Sequence, residues 1–165
     1  MREIPDPGFA GDDGSAAPEL AAALRAYAGR PDDLHDATLA VLQHTRLLVP
    51  VVAILGEVEH DDRGLAHDKS SDMATVLMQG RDGRTALLAF TSTQSMLSWK
   101  ADARPVPVTL ATAAAAALQD GAAAVLVDVA GPVPFVVEGD DLAELGRGSV
   151  LVEVSGRYGW GTPGR

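Results

Sequence analysis

At 165 residues the chain has the size of one domain, and it contains no cysteine, which excludes a disulfide framework, a thiolate zinc site and thiol chemistry. Its formal net charge is -10. That balance argues against nucleic acid, whose binders need an excess of Lys and Arg to displace counterions, and against docking on an anionic membrane.

The opening MREIPDPGFAGDDGS has no apolar run after Arg2, so it does not read as a secretory signal. Residues 1–14 are rich in Pro, Gly and Asp and are expected to form a flexible N-terminal arm unless Ile4 and Phe9 dock it. A helix is predicted to start at Ser15–Pro18, with Leu20, Leu24 and Tyr27 as its buried stripe and Gly29 at its end. Asp32 or Asp33 caps a second helix reaching about Thr45, its buried side marked by Leu34, Thr38, Val41 and Leu42. The short connection makes the two helices neighbours.

Arg46–Gly56 is a nearly continuous apolar run, the pattern of a strand covered on both faces. Pro50 has no N–H for a ladder and calls for an edge or a bulge. The polar stretch Gly56–Lys69 reads as a solvated excursion. Neither Leu47–Leu55 nor Ala122–Val137 can cross a membrane: the first is short and holds Pro50, and the second is broken by Asp128, Gly131, Pro132 and Pro134. A soluble cytoplasmic protein is expected.

Asp72 to Lys100 organises the chain. Met73–Gln79 and Thr85–Phe90 read as strands joined through Arg81-Asp82-Gly83-Arg84, where Asp-Gly tolerates the positive φ of a tight turn. Thr91-Ser92-Thr93-Gln94 fits a capping box, with Thr91 as cap. Met96, Leu97 and Trp99 give the following helix an apolar face. Ala101–Pro105 is a loop and Val106–Val108 a short strand, with Pro107 hinting at an edge. Thr109 caps a helix from Leu110 to Gln119, whose Ala113–Ala117 run suits close packing on a sheet. Ala123–Val129 is a strand, and the chain turns at residues 130–133 to return as Pro134–Glu138. Asp140 or Asp141 caps a short helix through Leu145. Ser149–Val154 alternates like a last strand, and 155–165 is expected to be a flexible C-terminal tail. The two strand–helix–strand passages favour right-handed crossovers between parallel strands. The fold class is α/β (α+β): one domain, residues 15–154, with a mixed sheet and helices packed on it.

Several blocks carry a resemblance: Arg2 to Phe9, Arg46 to Val51, Lys69-Ser70-Ser71-Asp72-Met73-Ala74, Ala89 to Thr93, Asp102 to Val106, and Asp128-Val129-Ala130-Gly131-Pro132. Together, over most of residues 2–145, they resemble the SseB N-terminal-domain family, in an actinobacterial form that suits the Ala- and Gly-rich composition. The resemblance implies a domain whose biochemical role is not established, named for a serine-sensitivity phenotype and loosely linked to secretion. It supplies no catalytic set.

The side chains themselves offer few reactive groupings. His60 and His67, with Asp61, Asp62 and Asp68, match no zinc spacing and read as a solvated turn. His35 and His44 are expected at the surface. No G-x-S-x-G occurs. Residues 159–164 match G-x-G-x-x-G only formally, without the following helix that a pyrophosphate needs. Lys69 and Asp72, with Ser70 and Ser71, read first as turn and strand-start chemistry, and second as a small anion pocket. Ser92 and Thr93 sit where a strand's carboxyl end meets a helix start, a place that favours anions, with Arg104 as a nearby positive charge. A plain helix cap explains them as well. The sequence therefore predicts no catalytic residue, no metal and no cofactor. It predicts a non-catalytic interaction or adaptor module binding a protein partner or itself as a homodimer, with no nucleic acid and no membrane. The alternative is a small-molecule or anion sensor using Ser92, Thr93, Arg104, Lys69 and Asp72.

Overall fold

The computed structural model describes residue 9, residues 11–53 and residues 73–162. The excursion at 56–69, with His60, His67 and Lys69, lies outside them, as do Ser70, Ser71 and Asp72. Helices α1 (Pro18–Gly29) and α2 (Pro31–Leu42) lead into β1 (Leu47–Ala53). After β2 (Met73–Thr75), β3 (Leu77–Gln79) and β4 (Thr85–Ala89) come α3 (Thr93–Trp99), β5 (Arg104–Val108) and α4 (Leu110–Gln119). The chain closes with β6 (Ala124–Val127), β7 (Phe135–Glu138), α5 (Gly139–Gly146), β8 (Val150–Val154) and β9 (Arg157–Gly161).

The described residues form three sheets, in the orders β2-β1-β5, β3-β4-β6-β7 and β8-β9. Among the described residues only β4 and β6 run parallel, with Ala86 opposite Ala124 and Ala89 opposite Val127. The expected pair of parallel crossovers is therefore replaced by one, because β5 leaves β4 and pairs antiparallel with β1. Its prolines explain this. Pro107 faces Leu48 and Pro105 faces Pro50, while the Leu48 N–H and C=O both bond Phe90, at 2.8 Å each. Successive residues of a strand turn their amides to opposite sides. Leu48 thus turns away from β5, and Pro107 and Pro105 carry their missing donors on the outer side of β5. A strand so built can occupy only an edge. The missing donor of Pro50 falls on the Phe90 side, where the neighbour of β1 changes from Phe90 to β2.

The stretch 73–79 splits at Val76, β2 pairing with β1 and β3 with β4. Val76 bridges the two sheets by accepting from the Leu88 N–H at 3.2 Å. The turn before β4 is as expected: Gly83 has φ 81°, its N–H reaches Gly80 O at 3.1 Å, and Gly80 N–H reaches Arg84 O at 2.8 Å.

Strand alternation sorts the apolar runs into two cores. Leu47, Val49, Leu87, Ala89, Val125, Val127, Phe135 and Val137 face α1, α2, α4 and α5, packing on Leu20, Leu24, Leu39, Leu42, Ala113, Ala114, Ala117, Leu142 and Leu145. Leu48, Leu88 and Phe90 face the other way, onto Met96 and Trp99 of α3. These strands are covered on both sides, hence continuous rather than alternating hydrophobicity. Leu97, expected on the apolar face of α3, is exposed, since Met96 and Trp99 at i, i+3 already fill the contact.

Three other expectations are corrected. The cap of α3 is Ser92, not Thr91: Ser92 Oγ accepts from Ser95 N–H at 3.0 Å, and Ser95 Oγ reaches back to Ser92 N–H. The stretch expected as a loose tail contains β9, joined to β8 by Ser155 and Gly156. Both have positive φ (52° and 78°), the backbone a two-residue hairpin requires. Finally, His35 is half-buried. Its ring stacks on Phe135 with centroids 4.9 Å apart, and its Nε2 lies 2.9 Å from Asp141 Oδ2.

Candidate functional site

The parallel strands β4 and β6 end side by side, and a cleft of about 710 Å³ opens beyond their carboxyl ends. Thr91 to Ser95 form one wall, and Asp128 with the turn from Ala130 to Val133 forms another. The third wall combines Leu24 and Arg25 of α1 with the strap Asp13-Gly14-Ser15.

Asp128 follows β6 directly and is fully buried, with φ 54°. Its Oδ1 accepts from Thr91 N–H and from Ser95 Oγ, both at 2.9 Å, and its Oδ2 accepts from Thr91 Oγ1 at 2.7 Å. Burial pushes its carboxyl above the usual aspartate range, against the opposing pull of the Thr91 and Ser95 donors. The backbone fixes the same residue, its N–H bonding Ala89 O at 3.0 Å and its C=O accepting from Gly131 N–H at 2.9 Å. Residues on two strand ends and a helix are thus joined through one carboxyl.

Arg46 performs the matching task for the strap. Its side chain is only 11% exposed. It donates to Thr91 O at 2.8 Å, to Ser15 O at 2.7 Å and to Asp12 Oδ1 at 2.7 Å. The Arg46 hydrogen bond, followed by the Gly14 amide, holds the Asp12 carboxyl below its ordinary range. Gly14 O accepts from Thr93 N–H at 2.8 Å. A Cβ on Gly14 would collide with the Thr93 hydroxyl, and its φ of 83° suits glycine as well. Asp12 and Gly14, within the segment expected as a flexible arm, are therefore seated against the end of β4 and the start of α3.

Of the residues singled out from sequence, Ser92 and Thr93 line this cleft. Arg104 stands exposed in β5 opposite Val51 and is not among the lining residues. The basic residue at the cleft is Arg25. Asp128, which does most to join the walls, was absent from the predicted set. Its signal is a lone acid closing the apolar run AVLV, followed by Val-Ala-Gly-Pro. Neither His35 nor His44 lines the cleft, so among the described residues no imidazole base stands beside its hydroxyls. Among the described residues, no three His, Asp or Glu side chains are grouped to hold a metal ion.

The family described as SseB protein N-terminal domain matches residues 20–144. The chain belongs to that family. The SseB match runs from the first buried leucine of α1 into α5 and contains Arg25, Thr91 to Ser95 and Asp128. The strap, the Arg2 to Phe9 block and the β8–β9 hairpin fall outside it. No curated protein matches the chain, and no solved structure does.

Proposed function

We propose that this SseB domain is a non-catalytic protein-interaction module. One observation carries the reading: Asp128 and the hydroxyl residues Thr91, Ser92 and Ser95 at the cleft are bonded to one another. Asp128 is filled by Thr91 and Ser95, and Ser92 Oγ by the Ser95 amide. A nucleophile needs a free base beside it, and a general acid must reach a reactant. These side chains instead fix the strand ends and the first turn of α3. The SseB family is not known as an enzyme family. The acidic balance and the absence, among the described residues, of a helix long and apolar enough to span a membrane support a cytoplasmic role with a protein partner or a second copy of the chain.

The sensor reading has less support. Thr93 N–H is taken by Gly14, and Arg104 stands away from Ser92 and Thr93.

The test is light scattering across a concentration range, together with cross-linked capture from the native host. A saturable partner of fixed stoichiometry, or a mass that rises with concentration, is expected. A strict monomer without a partner, converting a substrate in a manner abolished by Ser92→Ala, would overturn the proposal.

A further inference from the structure

A second concavity, about 440 Å³, lies between α2 and the β8–β9 hairpin. Its floor is a stripe of Ala37, Ala40 and Val41 on α2, spaced i, i+3, i+4, continued by Leu151 of β8. Its charged residues are acidic: Glu19 from the start of α1 and Glu153 from β8. Glu153 and Asp36 both act on Tyr158, which also lines the groove. Burial first, then the Glu153 charge and hydrogen bond and the Asp36 charge, hold its hydroxyl above the ordinary tyrosine range. No Lys or Arg is among the lining residues.

The edge of β8 beside the groove is open. Gln43 closes part of it, its side-chain amide donating to Leu151 O at 2.7 Å and accepting from Leu151 N–H at 2.8 Å. That amide acts as a strand of one residue. Leu151 thus turns its backbone away from β9, and strand alternation turns Glu153, two residues on, to the same edge. Among the described residues, the N–H and C=O of Glu153 have no hydrogen-bond partner there.

We infer that this groove docks an extended basic segment of a partner protein, laid along β8 beyond Gln43. Its backbone continues the ladder at Glu153. An apolar side chain rests on Ala37, Ala40 and Val41, and a neighbouring Lys or Arg turns to Glu19 and Glu153. Main-chain pairing supplies affinity in such strand addition, and alternate side chains supply specificity. Opposite charge supplies the steering. The inference rests on the protein-interaction reading and names its surface.

The experiment titrates the ¹⁵N-labelled full chain with an acetylated Lys-Val-Lys-Val-Lys amide and, separately, with its Glu-Val-Glu-Val-Glu counterpart. The basic peptide is expected to move the amide signals of Ala37, Ala40, Val41, Glu153 and Val154. Its affinity should fall about fivefold or more as salt rises from about 0.05 to about 0.5 M. Glu19→Lys with Glu153→Lys should weaken it about tenfold. Should that pair unfold the chain, Glu153→Gln alone should still weaken it about threefold with the spectrum otherwise unchanged. Shifts mapping elsewhere, equal binding of the acidic peptide, or indifference to both variants would overturn the inference. Capture from the native host separates the two levels. A partner retained by the charge-reversed chain removes the groove and leaves the interaction reading standing, whereas no partner for the unaltered chain, with no peptide shift, removes both.

Discussion

Thr91 and Asp128 hold each other twice, once through the Thr91 amide at 2.9 Å and once through its hydroxyl at 2.7 Å, although 37 residues separate them. The pair ties the ends of the two parallel strands and sits beneath the first turn of α3. Asp128→Ala would leave the Thr91 amide and the Thr91 hydroxyl buried without their acceptor, while the Ser95 hydroxyl keeps Ser92 O at 3.0 Å. A loss of about 2–4 kcal/mol is expected by denaturant titration. Thr91→Val should cost about 1–2 kcal/mol, and adding it to Asp128→Asn should cost less than the two single changes combined, since both act on one contact.

Acid titration gives this pair a recognisable signature. The Asp128 carboxyl is raised in the folded chain above the ordinary aspartate value of 3.8, so the folded state holds that proton more tightly than the unfolded state. Stability from this group therefore falls as pH rises through the window that opens at about 3.8, and returns on acidification. Asp12 has the opposite sign. Its folded carboxyl is lowered from 3.8, so its contribution is present above that value and fades as pH falls through the folded pKa. Thermal midpoints between about pH 3 and pH 7 should show the unaltered chain gaining on Asp128→Asn as the medium is acidified, and losing ground relative to Asp12→Asn. Parallel curves in both comparisons would contradict the assignment.

One side chain bonds the hairpin to α2. Gln43 supplies both hydrogen bonds that join β8 to the end of α2. Gln43→Ala should cost about 1–2 kcal/mol. It should also speed hydrogen exchange at the Leu151 amide, while Leu87 and Val125 in the central sheet keep their protection.

The second core is small, and Leu88 is fully buried within it. Leu88→Ala is expected to cost about 2–5 kcal/mol, and Leu97→Ala, on the exposed side of α3, within about 0.5 kcal/mol of nothing. Equal costs at the two positions would mean that α3 packs by another face.

The helix at Leu110–Gln119 could be read to its ends because Thr109 and Asp120-Gly121 are local signals, and the Asp82-Gly83 turn for the same reason. Strand neighbours were harder. A strand's pattern reports which faces are covered and leaves its partner open: Pro107 hints at an edge, but only the register of Pro105 and Pro107 with Pro50 and Leu48 shows that β5 pairs antiparallel with β1 and not within a parallel series. At the cleft, Ser92 and Thr93 were found because a hydroxyl run between strand and helix is a local feature. Asp128 was not, because its meaning comes from Thr91 and Ser95, brought to it only by the parallel pairing of β4 with β6. The final hairpin shows the cost of weighing composition over period. The glycines of 155–165 read as a flexible tail, yet Tyr158 and Trp160 alternate with Gly159 and pack on the main core behind a Ser-Gly turn.

The prolines of β5 bear on how such domains behave when crowded. A free backbone approaching that margin from outside meets pyrrolidine rings at Pro105 and Pro107, which offer it no amide hydrogens. Fibre growth or domain exchange by sheet extension is thereby discouraged along that rim, and assembly, where it occurs, is steered to other surfaces.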